Sequence, residues 1–273
     1  MAYSLLNQGD TTGINELVLI DVLKDKAIGE AMDLAHGLPC SSSHLKVKAG
    51  DYLECNDADI TRQVVASGFN GIFLVASNPV DLMTKVVQEV SNFPTNKVIG
   101  SGTALDTARL RYLIGKYLNI SNKNVHAYIM GEHGDSSFVP WDHAYVGCKK
   151  IKDIMKDAKR DLADLDKIYV DVRDAAYEII EKKKATYYGI GLGLAKIVKS
   201  ILNDTNEILT VSAYLNGEYG HNDIYIGVPA VINSNGAREL LTLELNESDQ
   251  KHFDDSCKIL TENMNTIRES LND

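Results

Sequence analysis

The segment Gly71-Ile72-Phe73-Leu74-Val75-Ala76 constrains this chain more than any other. It is an unbroken apolar run, closed by Ser77-Asn78-Pro79, too short for a buried helix and without alternation. A strand with one wet face would alternate, so the run predicts a strand covered on both faces, as in a parallel sheet sandwiched between helices. Neighbouring segments repeat the arrangement. Glu16-Leu17-Val18-Leu19-Ile20-Asp21 is a compact run ending in an acid, and Lys24 to Leu34 follows as an amphipathic helix with Ala27, Ile28, Ala31 and Leu34 on one face. His44 to Tyr52 alternates as a strand does, Lys97-Val98-Ile99-Gly100 is a further short run, and Thr103 to Leu118 reads as a helix. Strands alternating with helices imply βαβ units and a mostly parallel, doubly wound sheet, whose ligands sit at the carboxyl ends of the strands.

The second half changes character. Val125 to Met130 and Ala144 to Gly147 read as short strands, and Lys152 to Asn203 as a long helical tract interrupted at Gly189, Gly191 and Gly193. Glu207 to Leu215, Tyr219 to Gly227 and Pro229 to Asn233 form an antiparallel meander, its turns marked by Asn216-Gly217 and Asn235-Gly236. A last amphipathic helix is expected over Ser248 to Leu271. No repeat or linker separates the halves, so they are expected to pack tightly.

Composition narrows the function. With 44% hydrophobic and 24% charged residues the 273-residue chain is globular. Its 38 acidic against 28 basic residues give a net charge of -10, which argues against a nucleic-acid or membrane-surface partner but leaves room for a local basic pocket holding one small anion. No apolar stretch approaches membrane-spanning length, and Met1-Ala2-Tyr3-Ser4-Leu5-Leu6 lacks a basic leader, so a cytoplasmic protein is expected. Cys40, Cys55, Cys148 and Cys257 are scattered, and His126 and His133 lack ligand spacing; reduced thiols and no metal are expected.

The sharpest chemical constellation is Gly131-Glu132-His133-Gly134-Asp135 after the run Val125 to Met130. A histidine between glycines at a strand end can reach a ligand and exchange a proton near neutral pH; a plain surface-loop histidine fits the spacing equally well. Asp106 and Arg109 share a face at a helix start. The aspartate could orient an imidazole and the guanidinium clamp a carboxylate, although an ordinary helical salt bridge is the simpler reading of that spacing. Asp21 stands where a dinucleotide fold places the acid that bonds ribose hydroxyls, yet no G-x-G-x-x-G precedes it. The triplet Gly189, Gly191, Gly193 follows no strand, so close helix packing explains it better than phosphate binding.

Together with Val75-Ala76-Ser77-Asn78-Pro79-Val80-Asp81 and Gly100-Ser101-Gly102-Thr103-Ala104-Leu105-Asp106-Thr107-Ala108-Arg109, the histidine loop resembles the bacterial L-lactate dehydrogenases of the lactate/malate dehydrogenase family. The resemblance runs along essentially the whole chain. It implies an α/β fold, a Rossmann-type doubly wound parallel sheet plus an α+β substrate domain, with residues 1–100 as the dinucleotide-binding domain and 101–273 as the substrate domain. It implies NAD as cofactor and pyruvate and L-lactate as substrates, at the fermentative end of glycolysis. His133 becomes the proton donor, Asp106 its orienting carboxylate, Arg109 the carboxylate clamp, and Asn78 a residue between nicotinamide and substrate. Asp21 takes the adenosine ribose, and Thr186 in Ala185-Thr186-Tyr187-Tyr188-Gly189 belongs to the substrate pocket. Arg111 and His126 match the pair that binds fructose 1,6-bisphosphate at a subunit interface of allosteric homotetramers.

The chain departs from that pattern in two places. It begins in the helix that should follow the opening strand and glycine turn. Between Asp57-Ala58-Asp59-Ile60 and Val64-Val65-Ala66-Ser67-Gly68, where the family has a central strand, an active-site loop and a long helix, only Thr61-Arg62-Gln63 stands. Arg62 resembles the loop arginine that polarises the substrate carbonyl, and the lactate-versus-malate selector belongs to the absent loop. Without both central strands the remaining pairs would stand about 14 Å apart, beyond backbone hydrogen bonding. Omitted segments fit this better than a real deletion, since both flanks resume in register. The alternatives are a malate dehydrogenase, told apart by faster oxaloacetate reduction, and a non-catalytic deletion variant that cannot bind NAD.

Overall fold

The computed structural model describes residues 1–21, 23–50 and 57–270; Cys55, the 51–52 end of the second expected strand and Leu271 lie outside them. Helix α1 (Ala2–Asn7) buries Leu5 and Leu6. Then β1 (Glu16–Leu19), α2 (Lys24–Gly37) and β2 (Lys46–Ala49) form a βαβ unit with parallel strands, Glu16 opposite Lys46 and Leu19 opposite Ala49. Of the expected apolar face of α2, Ala27 and Ala31 are buried while Ile28 stays exposed. After α3 (Asp57–Ala66), a second unit follows: β3 (Phe73–Val75), α4 (Val80–Ser91) and β4 (Val98–Gly100), again parallel.

Among the described residues the two units share no sheet. The β1–β2 pair stands alone, whereas β3–β4 continues through Gly100 opposite Ser212 into the second half. β3 is therefore an edge strand, and Phe73 and Leu74 are half-buried where cover on both faces was expected. Aromatic rings stand in: Phe69 and Phe93 pack edge-on against Phe73 at centroid distances of 4.9 and 5.1 Å.

Helix α5 (Ala104–Leu118) leads to a small antiparallel sheet of β5 (Val125–His126), β6 (Tyr145–Val146) and β7 (Lys149–Lys150). The long helical tract is three helices, α6 (Ile151–Asp157), α7 (Ala163–Lys183) and α8 (Tyr188–Leu202). Its breaks fall near Lys159 and Lys184, both at positive φ, and not at the glycines, which lie inside α8. Those glycines serve packing: a Cβ on Gly191 would lie 2.8 Å from Ser4 Oγ of α1, and one on Gly189 would lie 3.2 Å from Leu105. β8 (Glu207–Asn216), β9 (Asn222–Asn233) and β10 (Gly236–Leu240) complete the larger sheet in the order β10-β9-β8-β4-β3. The expected third strand at Pro229 to Asn233 is the end of β9. The strand runs through Pro229, whose carbonyl accepts the Leu241 N–H at 2.8 Å. Helix α9 (Glu247–Ser270) closes the chain.

Two apolar cores result. One joins β8, β9 and α9 around Ile226, Val228 and Phe253; the other joins α5, α6 and α7 around Leu110, Ile114 and Met155. Among the described residues no helix is long and apolar enough to cross a membrane, and no group of three or more His, Cys, Asp or Glu could hold a metal ion. Cys40, Cys148 and Cys257 are free thiols.

Candidate active site

Ile129 and Met130 are consecutive, yet Ile129 belongs to the α5–α7 core and Met130 to the β8–β9 core. The chain leaves this junction at Gly131, whose φ of 100° disfavours a side chain and whose N–H and carbonyl both pair with Gly227 of β9 at 3.0 Å. The start of α5 is fixed to the residue two before that glycine. Thr103 Oγ1 donates to the Ile129 carbonyl at 2.6 Å, and Ile129 N–H donates to Thr107 Oγ1 at 2.9 Å. These bonds set the first turn of α5 beside the loop.

His133 and Asp106 meet there, Nδ1 to Oδ2, at 2.9 Å. The carboxylate can only accept, so Nδ1 carries the proton and Nε2 is left for exchange. Asp106 also accepts from Arg109 Nη1 at 3.0 Å through its other oxygen, so the expected i,i+3 pair and the expected imidazole orientation coexist on one carboxylate. The bond to Asp106 raises the His133 pKa above its ordinary value, against an opposing effect of burial.

A second carboxylate lies behind the loop. Asp81, at the start of α4, accepts the His133 backbone N–H at 2.8 Å and is only 3% exposed. Burial pushes its pKa up to about 6, a shift that the neighbouring Ser212 hydroxyl and the His133 N–H oppose. Its Oδ1 has no well-formed hydrogen bond among the described residues.

His133, Asp106 and Asn78 line one cavity of about 220 Å³ together with Tyr169, Arg173 and Tyr177 of α7. The other sequence candidates fall elsewhere. Arg109 reaches the site through Asp106, and Thr186 is half-buried on the α7–α8 connector, outside the lining. Arg62, expected on a loop, is an exposed residue of helix α3 and is also outside the lining, because the chain passes directly into a helix at that point. Asp21 follows β1, accepts the Leu23 N–H at 2.9 Å and pairs with Lys26 at 3.0 Å. Arg111 donates from Nε to the Ala127 carbonyl at 3.0 Å, next to the exposed His126, so those two basic residues sit on one surface. Sequence reasoning did not single out Asp81 or the α7 residues. Asp81 stood inside a quoted motif, but a contact 52 positions away has no local signature.

The comparisons with known proteins identify the family. Residues 103–271 match the lactate/malate dehydrogenase alpha/beta C-terminal domain, and residues 58–100 match the NAD binding domain of the same family. An L-lactate dehydrogenase 2 of Bacillus cereus is 48% identical over 293 positions, covering 96% of this chain and 92% of that protein. An L-lactate dehydrogenase 1 of Bacillus anthracis is 47% identical at the same coverage. Among solved structures, the ligand-bound minor L-lactate dehydrogenase of Enterococcus mundtii superposes with a TM-score of 0.91 at 42% identity, covering 97% of this chain and 93% of that one. A lactate dehydrogenase from a deep-sea metagenome library gives 0.90 at 45% identity and the same coverage.

Proposed function

The chain belongs to the lactate/malate dehydrogenase family, and from that premise we propose that it is an NAD-dependent L-lactate dehydrogenase interconverting pyruvate and L-lactate. The observation that carries the reading is the His133–Asp106 pair opening on a cavity that Asn78 also lines.

The residues present fit the cofactor at its two ends. Asp21 lines a cavity of about 620 Å³ with Met1, Tyr3 and Lys26, and its carboxylate keeps acceptor capacity for ribose hydroxyls. Asn78 is exposed beside His133, where a nicotinamide would lie. A glycine turn at a helix N-terminus for the pyrophosphate is not found among the described residues. One relative aligns over 293 positions that take in 96% of the 273 residues here, so the alignment carries gaps in this sequence, which supports an internal stretch present in that relative and missing here.

When bound, NAD supplies or accepts the hydride at the substrate's second carbon. The chain's own residues handle the proton and the orientation. In reduction, the protonated imidazole of His133 gives its Nε2 proton to the developing alkoxide, and Asp106 fixes the tautomer and stabilises the imidazolium. Arg109 uses one donor on Asp106 and retains others for bidentate capture of the substrate carboxylate. Holding both groups on one helix turn supplies the alignment that a bimolecular reaction lacks. Thr186 and Arg62 complete the assignment as pocket residues, each requiring the connector or the absent loop to close over the site.

Arg111 and His126 would bind fructose 1,6-bisphosphate in a cytoplasmic homotetramer; the shared surface of two basic residue types supports this part of the proposal.

The test compares NADH oxidation with pyruvate and with oxaloacetate. Faster turnover of pyruvate is expected; the reverse order makes the chain a malate dehydrogenase. A chain of intact mass 30.0 kDa that binds no NADH would overturn the enzymatic reading in favour of a non-catalytic variant.

A further inference from the structure

Four consecutive backbone N–H groups carry the histidine loop, and each has a different partner. Gly131 donates to Gly227 of β9, and Gly134 donates to the Glu132 carbonyl within the loop. His133 donates to Asp81 of α4. Glu132 donates to Ser256 Oγ at 2.7 Å, and Ser256 is a fully buried residue of the C-terminal helix α9, 124 positions away.

The Ser256 hydroxyl does more than accept. It lies 2.8 Å from Ser136 Oγ, which in turn lies 2.6 Å from Glu132 Oε2. Each hydroxyl has one proton, and the carboxylate can only accept. The Ser136 proton therefore goes to Glu132, and the Ser256 proton goes to Ser136 Oγ at 2.8 Å in preference to the Ser136 carbonyl at 3.4 Å. The result is a closed ring that leaves Glu132 through its backbone N–H, passes through Ser256 and Ser136, and returns to the Glu132 carboxylate. Such a ring polarises in one sense and ends on a charge, which strengthens each bond in it. The fit is close: a Cβ on Gly131 would lie 2.9 Å from Ser256 Oγ.

We propose that Ser256 is a positioning residue for His133, coupling the C-terminal helix to the catalytic loop through the Glu132–Ser256–Ser136 ring. The inference rests on the role assigned to His133 above. Without the Ser256 hydroxyl the half-buried Glu132 N–H loses its partner, and of the backbone N–H tethers from this loop to distant elements those to Asp81 and Gly227 remain. The next residue's imidazole then loses alignment with Asp106.

The readout is the titration of the His133 imidazole, followed by NMR in the purified chain and assigned with His133→Gln. Charged or titratable groups facing His133 are Asp106 and Arg109 of α5, Asp81 of α4, Glu132 and Asp135 of the loop, and Tyr169, Arg173 and Tyr177 of α7. Ser256→Ala is expected to weaken proton binding at His133 by about threefold to tenfold, the scale of a charge-assisted hydrogen bond partly lost. Ser136→Ala, a change at a half-buried site that folds more readily, is expected to move the titration the same way by less. Cys257→Ala removes a buried α9 group outside the ring, so it should lower Tm and leave the titration in place. An unmoved titration in Ser256→Ala or Ser136→Ala, or an equal shift in Cys257→Ala, overturns the proposal. The titration needs no turnover, so failure to reduce pyruvate would remove the dehydrogenase reading independently of this result.

Discussion

Two βαβ units of similar sequence pattern meet different fates in this molecule. In β3–α4–β4 the second strand is flanked by β8, and Val98 and Ile99 are 0% exposed. In β1–α2–β2 neither strand finds a further neighbour among the described residues, and Val18 and Ile20 remain 42% and 40% exposed beside an open cavity. Both strands pair in parallel and both units place an amphipathic helix against them. Apolar patterning thus encodes a capacity for burial, and the neighbouring strand decides whether that capacity is used. The proposed site residues follow the same division: His133, Asp106 and Asn78 gather beside the well-covered unit, and Asp21 stands at the open one.

The largest effect should fall at the covered unit. Replacing His133 with alanine removes the proposed proton donor and is expected to lower pyruvate turnover by about 10²- to 10⁴-fold, the usual contribution of general acid catalysis. NADH affinity, which depends on other residues, should stay within a factor of about two to three of wild type, given ordinary single-site scatter. Steady-state rates with a parallel fluorescence titration of NADH check both halves, and unchanged turnover would remove His133 from the mechanism. Next in size, Ile99→Ala on β4 should cost about 2–5 kcal/mol in urea unfolding, since the side chain is fully enclosed. A cost near zero would mean that β4 is no better covered than β1.

The same division governs what could be read from the residues alone. The strand and helix order, the histidine loop and the Asp106–Arg109 turn are local patterns, and each was legible because periodicity and motif spacing carry it. The helix breaks were misplaced to Gly189, Gly191 and Gly193 because a glycine in contact with another helix reads the same as a glycine that ends one. β9 was split at Pro229 because the pattern does not show which backbone group the ladder needs. Asp81 and Ser256 were invisible: their partners lie 52 and 124 positions away, and nothing in a short window marks a side chain that accepts a distant N–H.

Protonation offers a third, smaller contrast. Asp81 is buried with its pKa raised to about 6, so the folded state binds more protons than the unfolded chain between about pH 4 and 6, and stability falls across that window as pH rises. His133, raised mainly by Asp106, contributes stability that is complete below about pH 6.5 and is lost as pH climbs through its folded pKa. Asp81 belongs to the covered unit and His133 to the loop bonded to it, and both favour mildly acid conditions. The urea midpoint is therefore expected to decline from pH 5 to pH 8, and Asp106→Asn should flatten the upper part of that decline. The same variant should move the alkaline limit of pyruvate reduction to lower pH, because the imidazolium loses its partner. A limit that stays in place would show that Asp106 does not govern His133.

The smallest expected effect bears most directly on the comparison. Val18→Ala on β1 deletes two buried-capable carbons from a side chain that is 42% exposed and faces a cavity, so its cost should stay within about 0.5 kcal/mol, as for ordinary surface changes. A further strand laid against β1, from a segment that the printed sequence does not contain, would enclose those carbons. The same substitution would then cost about 1.5 kcal/mol by transfer alone. Urea unfolding of Val18→Ala beside Ile99→Ala resolves a difference of that size. A ratio near one makes the two units equivalent in the working protein, and a large ratio keeps β1 an open edge beside the cavity that Asp21 lines.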